Sequence, residues 1–366
     1  MKKKIKVLHF IAGLGNGGAE RQLIELLKYN RNHGVVLFTN AGVYKNTLKE
    51  FNIRVWEINI RKKYLIFFKC FFFKKIIKEF KPDIIQSWMY NTCLILSIFK
   101  KLKFYNIPLI WSIRCSDMNT KDYPFFLKLN IFFCKILSNI PKKIIYNSKA
   151  GLDYHEKIGF FKKKSYLIFN GVDSKKFKPN KVLRKKLRYQ YNFKEKDIVV
   201  LCVARVDPMK NHTTLLSAFK NIKKNNPNNN LKLVLIGKGT ELFKEKKVYL
   251  SLGMKLNIER FYNLADIIIL PSVYGEGFSN VLVEGMLTNL LPISFDVGDS
   301  RSIINNCGYV MKKINEIELI NIFNKLSKLK KDQIKGLGIK ARSRAKLLYT
   351  PLKMINLYNK VYLEVF

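Results

Sequence analysis

Short apolar runs alternate with amphipathic stretches along almost the whole chain. "KIKVLHFIA" (4–12) reads as a strand, and "GGAERQLIELLKYN" (17–30) as a helix with Leu23, Leu26 and Leu27 on one face. "HGVVLFTN", "IRVWEINI", "PDIIQSW", "IPLIWSIR", "KKIIYNS" and "SYLIFNG" supply further strands, each short and ending in small or polar residues. Strands separated by helical stretches predict a parallel sheet with crossover helices. The pattern breaks between Asp173 and Asp197, where the chain is polar, strongly basic and without a strand, as in a linker carrying a short helix. A second series follows: the strand "IVVLCVARV", the helix "NHTTLLSAFKNIKK", the strands "LKLVLIGKG" and "ADIIILPS", the helix "SNVLVEGML" and the strand "LPISFDVG". The fold class is therefore α/β, with Rossmann-like domains at 1–173 and 197–345, a linker at 174–196 and a further helix at 346–366. Ligands of such sheets bind beyond the carboxyl ends of the strands, here in a cleft between the domains.

The first loop raises a chemical question. Gly13, Gly15 and Gly18 fit G-x-G-x-x-G, the fingerprint of a dinucleotide-binding turn. A dinucleotide site also wants a carboxylate at the end of the second strand to hold the ribose hydroxyls. Here that strand ends in Thr39, Asn40 and Ala41, and the carboxylate is missing. What survives is a flexible loop ahead of a helix N-terminus, suited to a phosphate. A tight strand-to-helix turn with no ligand is the plainer reading.

With 366 residues, 48% of them apolar, the chain can bury two ordinary cores. No run of eighteen uncharged apolar residues marks a membrane-spanning helix. "MKKKIKVLHFIAG" has the basic-then-apolar look of a leader, but the run is short, contains His9 and enters a Gly-rich turn, so it reads as a first strand. Six scattered cysteines without a C-x-x-C pair predict reduced core thiols in a cytosolic protein, and four dispersed histidines give no metal-ligand spacing. Lys and Arg number 68 against 26 acidic residues, a formal charge of +42. Such a surface attracts anionic membranes, nucleic acids or phosphorylated substrates. Abundant Lys, Asn, Ile and Phe also fit an AT-rich codon bias, and the field is present on either account.

The second half carries sharper chemistry. "VARVDPMKNHTTLLSAF" (203–219) places Arg205 at a strand end and Lys210 just before a helix. Two cations there can grip a diphosphate, Arg as a planar fork and Lys as a mobile point charge. "YGEGFSNVLVEGM" (274–286) places Glu276 and Glu284 eight apart, around a helix start near Ser279, and directs both to one cleft. The "EGFSN" amides at that helix start favour a negative group. In a chain so poor in acids, a carboxylate among Val281, Leu282, Val283 and Met286 is not an ordinary surface residue.

Together these stretches resemble the retaining family-4 glycosyltransferases of the GT-B fold. The match runs in order through "GNGGAE", "YNSKAGLDYH", "IFNGVDSKKFKP", "VARVDPMKNH", "VLIGKGTE", "ADIIILPS", "GEGFSNVLVEGM" and "DVGD". It extends to enzymes building lipopolysaccharide, capsule or lipid-linked oligosaccharides. The resemblance implies an N-terminal acceptor-binding domain, a C-terminal nucleotide-sugar-binding domain and a last helix packing back on the first. It implies catalytic roles for Arg205 and Lys210, which neutralise the donor diphosphate as charge grows on the leaving group, and for Glu276, on the sugar hydroxyls. Glu284 would hold the ribose, and amides around Gly277, Phe278 and Ser279 would complete the sugar and phosphate site. Lys238 and Gly239 lie near the nucleobase region, and Gly17 and Gly18 would bring first-domain amides to the β-phosphate.

The co-substrate so implied is a nucleotide sugar, UDP-linked, with no further cofactor and no metal. Many relatives carry a histidine beyond the strand matching "LIWSIR"; this chain reads "IRCSDMN", which leaves Arg114 and Asp117 as acceptor-region candidates. "RKKYLIFFKCFFFKKIIKEF" (61–80) interleaves aromatics and lysines, with Leu65, Phe67, Phe68, Phe71, Phe72 and Ile76 forming one apolar face of a helix. "YPFFLKLNIFFCKILSNIPKK" (123–143) is a second such run. Both suit an anionic membrane surface or ordinary packing helices. The expected place is cytoplasmic, peripheral on the inner face of the plasma membrane, with a glycan or lipid-linked acceptor. Two alternatives stay open: a nucleotide-sugar epimerase or hydrolase of the same fold, and a basic nucleic-acid-binding protein. Against the latter, no nucleic-acid motif is present and the basic residues are spread throughout, so no specific nucleic acid is expected.

Overall fold

The computed structural model describes residues 4–15, 17–59, 70–118, 125–245 and 248–366. The chain divides into unit 1, Met1–Gly171 with Pro351–Phe366, and unit 2, Val172–Thr350.

Unit 1 is built on a parallel sheet of β1 (Val7–Ile11), β2 (Gly34–Leu37), β3 (Arg54–Glu57), β4 (Ile84–Trp88), β5 (Leu109–Ile113), β6 (Lys143–Tyr146) and β7 (Ser165–Leu167). The strand order is β3-β2-β1-β4-β5-β6-β7, so it reverses between β1 and β4. Its crossovers carry α1 (Gly18–Tyr29), α2 (Lys45–Glu50), α3 (Cys70–Phe80), α4 (Met89–Lys101), α5 (Phe125–Leu137) and α6 (Lys149–Lys157). Unit 2 repeats the plan with β8 (Ile198–Val203), β9 (Leu231–Ile236), β10 (Leu250–Ser251), β11 (Ile267–Leu270), β12 (Leu291–Phe295) and β13 (Tyr309–Met311). These are ordered β10-β9-β8-β11-β12-β13, reversing between β8 and β11. Its helices are α7 (Lys181–Gln190), α8 (His212–Asn225), α9 (Ile258–Tyr262), α10 (Asn280–Leu287), α11 (Ser300–Ile304), α12 (Glu316–Lys328) and α13 (Lys331–Leu348). The last helix, α14 (Pro351–Val365), belongs to unit 1.

Strands covered on both faces read as unbroken apolar runs because neither face meets water. In β1, Leu8 and Phe10 join the core beneath α3, α4 and α5, while Val7 and Ile11 join the opposite core beneath α1 and α14. Tyr358 and Tyr362 of α14 are buried in that second layer. Arg114 Nη1 donates to the Tyr358 hydroxyl at 3.1 Å, and the Tyr362 hydroxyl donates to Gln86 Oε1. These bonds partner most of the polar atoms buried here, while Gln86 Nε2 and Arg114 Nε make no hydrogen bond among the described residues.

Residues 174–196, read from the sequence as a linker with a short helix, lie within unit 2. The expected short helix is α7, and it is bound to the rest of unit 2 by Arg184 Nη2 and Arg188 Nη1 on the two oxygens of Asp266, at 2.6 and 3.3 Å. Asp266 also accepts the Val199 N–H at 2.8 Å. A carboxylate largely withdrawn from water needs such partners, and meeting that need fixes α7. The strands β10 and β13 are too short to show a period and escaped the sequence reading. Among the described residues no helix is long and apolar enough to cross a membrane. Cys93, Cys115, Cys134, Cys202 and Cys307 are buried and form no disulfide. Burial pushes the Cys93 and Cys202 thiols up to about 12, which leaves them unreactive.

All four histidines are buried: His9, His33, His155 and His212. His9 Nε2 and His33 Nδ1 lie 2.9 Å apart, and Trp88 Nε1 donates to His9 Nδ1 at 3.2 Å. Burial lowers His33 to about 3 and His155 and His212 to about 4, and drives His9 well below its ordinary value. Each therefore folds as a neutral ring, whereas the unfolded chain takes up protons near pH 6.5. Stability is expected to hold above about pH 7 and to fall below about 6.5, by up to ~1.4 kcal/mol per pH unit for each ring, as far as the folded value. Thermal denaturation followed from about pH 7.5 to about pH 5 checks this; a melting temperature flat over that range contradicts it.

Candidate active site

In unit 2, β8 and β11 are neighbours at the strand reversal, with Ile267 opposite Val200 and Ile268 opposite Leu201. The loops leaving their carboxyl ends are thereby brought together. After β8, Asp207 caps a 3-10 turn over Pro208–Lys210, its Oδ1 accepting the Met209 N–H at 3.1 Å. Asn211 then takes φ 52°, which turns the chain into α8. The Val273 N–H, beyond β11, donates to the Met209 carbonyl at 2.9 Å and ties the two loops.

Across that tie, Lys210 Nζ pairs with Glu276 Oε1, which also accepts from Ser272 Oγ at 2.7 Å. The Lys210 and Glu276 side chains are only 15% and 10% exposed, so water screens their attraction weakly. Arg205 stands at the start of the same loop, more than half exposed, its Nε and Nη2 donating to Asp207 Oδ2 at 3.1 and 2.8 Å. Beside them, burial and the charge of Lys210 hold the His212 ring neutral. The result is one partly buried cation fixed against a carboxylate, with a second, exposed cation held to Asp207.

The second carboxylate is held separately. Ser279 caps α10, and Glu284, one turn inside it and 3% exposed, accepts from the Tyr262 hydroxyl of α9 at 2.6 Å. Glycine at 285 lets α10 lie close on β11, since a Cβ there would fall 2.5 Å from Ile268 Cγ2. The Gly277–Phe278–Ser279 stretch is buried, and the Phe278 ring packs edge-on against Tyr349, 5.0 Å between centroids. Phe278 thus contributes its side chain to the core. Gly298 of "DVGD" has φ 58°, and a Cβ there would lie 2.1 Å from the Glu276 carbonyl oxygen. Only glycine allows that loop to close on the Glu276 backbone. Lys238 is exposed, and its carbonyl accepts the Val206 N–H at 2.8 Å, which puts it beside the Arg205 loop; Gly239 has φ 90°.

The remaining expected residues lie in unit 1. Gly17 is the N-cap of α1 and Gly18 its first residue, while Asn16 lies outside the described residues. A cavity of about 450 Å³ opens at the β1–β4 reversal, lined by Gly13, Gly15, Glu20, Asn40, Trp88 and Met89 among others. Gly13 and Gly15, rather than Gly17 and Gly18, face this cavity. Met89 has φ 69°, an uncommon conformation for a side chain of that size. Arg114 is buried, donating to Tyr358 and, at 2.7 Å, to Asn170 Oδ1, with its guanidinium 5.1 Å from the Trp88 ring centre. It therefore holds α14 to β5. Asp117 is exposed, and the hydroxyl of Tyr154, partly buried and beside it, has its pKa raised. Sequence reasoning missed Asp207, Ser272 and Tyr262. The last was findable, because a tyrosine in the apolar "FYNLADIIIL" must bury a hydroxyl that needs a partner.

Two doubly wound units, with clustered cations and carboxylates at the strand reversal of the second, define the GT-B class of glycosyltransferases. The family described as Glycosyltransferase Family 4 matches residues 16–176, and that described as Glycosyl transferases group 1 matches residues 184–344. The chain carries these two glycosyltransferase modules in succession and is a glycosyltransferase. A Campylobacter jejuni relative, a GalNAc-α-(1→4)-GalNAc-α-(1→3)-diNAcBac-PP-undecaprenol α-1,4-N-acetyl-D-galactosaminyltransferase, is 27% identical over 307 residues, covering 79% of both chains. A second from that organism, an N-acetylgalactosamine-N,N'-diacetylbacillosaminyl-diphospho-undecaprenol 4-α-N-acetylgalactosaminyltransferase, is 30% identical over 179 residues, 46% of this chain and 45% of the relative. Anabaena HepE, solved with UDP and glucose, shares the fold at 19% identity with a TM-score of 0.84, over 98% of this chain and 100% of that one.

Two substitutions test the geometry. Tyr262→Phe withdraws a buried donor from Glu284 and is expected to cost about 1–3 kcal/mol of stability. Gly298→Ala sets a Cβ against the Glu276 backbone at a positive φ and is expected to cost about 1 kcal/mol or more. Calorimetric melting reads both; wild-type melting temperatures would remove the contacts from the account.

Proposed function

We propose that this glycosyltransferase moves a hexosyl or N-acetylhexosaminyl group, with retention of anomeric configuration, from a UDP-linked donor to a glycan or lipid-linked acceptor during cell-surface polysaccharide synthesis. The observation that carries the reading is the Lys210–Glu276 pair at the strand reversal of unit 2, with Arg205 on the same loop. The printed functions of the Campylobacter relatives, which name undecaprenol-linked substrates, and the UDP bound to HepE support it.

On this reading, Arg205 leaves Asp207 for the donor diphosphate and Lys210 supplies the second positive charge. Both stabilise the charge that grows as the bond from the anomeric carbon to the diphosphate oxygen breaks. The acceptor hydroxyl forms its bond to that carbon on the same face, and its proton passes to the departing diphosphate. Glu276 meets hydroxyls of the donor sugar and Glu284 those of the ribose, with backbone groups of Gly277, Phe278 and Ser279 around the sugar. Lys238 and Gly239 border the nucleoside, and Gly17 and Gly18 supply amides for a phosphate. With the diphosphate met by Arg205 and Lys210, the reaction needs no divalent metal and no cofactor. The acceptor belongs to unit 1, and the protein works in the cytoplasm, peripherally on the inner membrane face.

Lys210→Ala and Glu284→Ala are each expected to lower transfer by about 100-fold or more while the protein stays folded. Product analysis with a panel of nucleotide sugars measures this, and wild-type rates in both variants would end the assignment. Transfer is further expected to be unchanged by EDTA; a loss restored by a divalent cation would overturn the metal-free reading.

A further inference from the structure

The aromatic run at 61–80 divides in the structure: Ile76 packs into the core, Phe71 and Phe72 are exposed, and Leu65, Phe67 and Phe68 lie outside the described residues. The turn after β4 is ordered more sharply. Between Trp88 and Thr92 burial alternates: Trp88, Tyr90 and Thr92 are buried, Met89 is half-buried and Asn91 is exposed. Met89 and Asn91 line the cavity of about 450 Å³ in unit 1. The three buried residues anchor the turn from within. Trp88 Nε1 donates to His9 Nδ1, and Thr92 Oγ1 accepts the Trp88 N–H at 3.0 Å and donates to the Trp88 carbonyl at 2.6 Å.

Tyr90 carries the longest anchor. Its hydroxyl lies 2.6 Å from His155 Nε2, and His155 Nδ1 lies 2.6 Å from the Gly151 carbonyl oxygen. A carbonyl only accepts, so Nδ1 holds the ring proton and Nε2 accepts from Tyr90. Cys115 Sγ donates to the same hydroxyl at 3.3 Å, and Cys134 Sγ to the Tyr90 carbonyl at 3.5 Å. Burial raises the Tyr90 hydroxyl well above its ordinary value and lowers His155 to about 4, so both stay neutral and the direction of the chain is fixed. A Cβ at Gly151 would lie 2.8 Å from the Cys115 carbonyl oxygen, so glycine lets the start of α6 close on the loop after β5. The segments that follow β4, β5 and β6 are thereby braced together through Tyr90.

Among the described residues, nine other than glycine have positive φ: six are asparagine, two are lysine, and one, Met89, is apolar. Asparagine enters this region readily, whereas a long apolar side chain does so at a cost and persists there where its surroundings over-determine it. The anchors on either side of Met89 supply that constraint. Asparagine would serve the backbone at less cost, so it is the methionine side chain that the position keeps. Asn91 Oδ1 accepts from Asn130 Nδ2 of α5, which fixes the amide and leaves its NH2 group as a donor. A thioether beside an amide donor suits a ligand with an apolar face and a hydroxyl rim, as a pyranose ring has, and the cavity is of the size that holds a small molecule. Resting on the reading that unit 1 takes the acceptor, we propose that Met89 and Asn91 select the acceptor sugar, with Tyr90, through His155, as the residue that positions them.

The full chain is titrated with the methyl α-glycosides of glucose, galactose, N-acetylglucosamine and N-acetylgalactosamine, followed by saturation-transfer NMR, and separately with UDP by calorimetry. Wild type is expected to bind and rank these glycosides. Met89→Ala and Asn91→Ala are each expected to weaken the preferred one by about tenfold or to change the ranking, with UDP affinity unchanged. Tyr90→Phe is expected to lose about as much. His155→Gln, whose side-chain carbonyl can accept from Tyr90, is expected to keep most of the binding that His155→Leu loses; equal losses would reduce the ring to a space-filling role and overturn the positioning assignment. Melting temperatures separate misfolding from lost recognition, and Met89→Ala and Asn91→Ala, at half-buried and exposed positions, decide the outcome even where a buried variant fails to fold. A wild-type glycoside ranking in both overturns the proposal, as does a loss of UDP affinity in its place. Failure of the wild type to bind any of the glycosides overturns it as well, and retained UDP binding then leaves the donor half of the proposed function standing.

Discussion

The reversal of strand order between β8 and β11 is the constraint on which the candidate site depends. Every strand of that sheet is parallel, so all carboxyl ends reach one edge, and the loops after β8 and β11 leave neighbouring strands. Lys210 and Glu276, sixty-six residues apart in sequence, meet there as a weakly screened pair. Glycine at 298 and at 285 permits the close backbone approaches that set the Glu276 loop and α10 in place. At the opposite edge Asp266 joins β11, β8 and α7 through Val199, Arg184 and Arg188. One carboxylate secures the start of the two central strands, and another, Glu276, pairs with Lys210 at their ends.

Unit 1 follows the same plan with a different interior. Its sheet is closed on one face by α1 together with α14, so the end of the chain is a core element. The polar groups enclosed there pair with one another, Arg114 with Tyr358 and Asn170, Gln86 with Tyr362, and His9 with His33 and Trp88, although Gln86 Nε2 and Arg114 Nε are left without a hydrogen bond among the described residues. Among the described residues, the cavity at the β1–β4 reversal is bordered by neutral and apolar groups with Glu20.

Phenylalanine shows how far composition can mislead. The same residue type fills the core at Phe73 and Phe99 and stands exposed at Phe125 and Phe132. A helix such as α5, apolar on both sides, has no polar stripe from which a sequence could tell inside from outside.

Strand and helix periodicity, set by local backbone geometry, made both α/β series legible, because a strand buried on both faces must be apolar throughout. The residues proposed to hold a diphosphate and a ribose stand out in the sequence as well, Arg205, Lys210 and Glu276 in loops after strands and Glu284 within an apolar helix. Pairing was not. That Glu276 takes Lys210 and Ser272 while Glu284 takes Tyr262, that Arg114 braces α14, and that residues 181–190 belong to unit 2 through Asp266 depend on groups distant in sequence. A buried charge or hydroxyl announces in the sequence that it needs a partner, but only the folded packing decides which partner lies within reach.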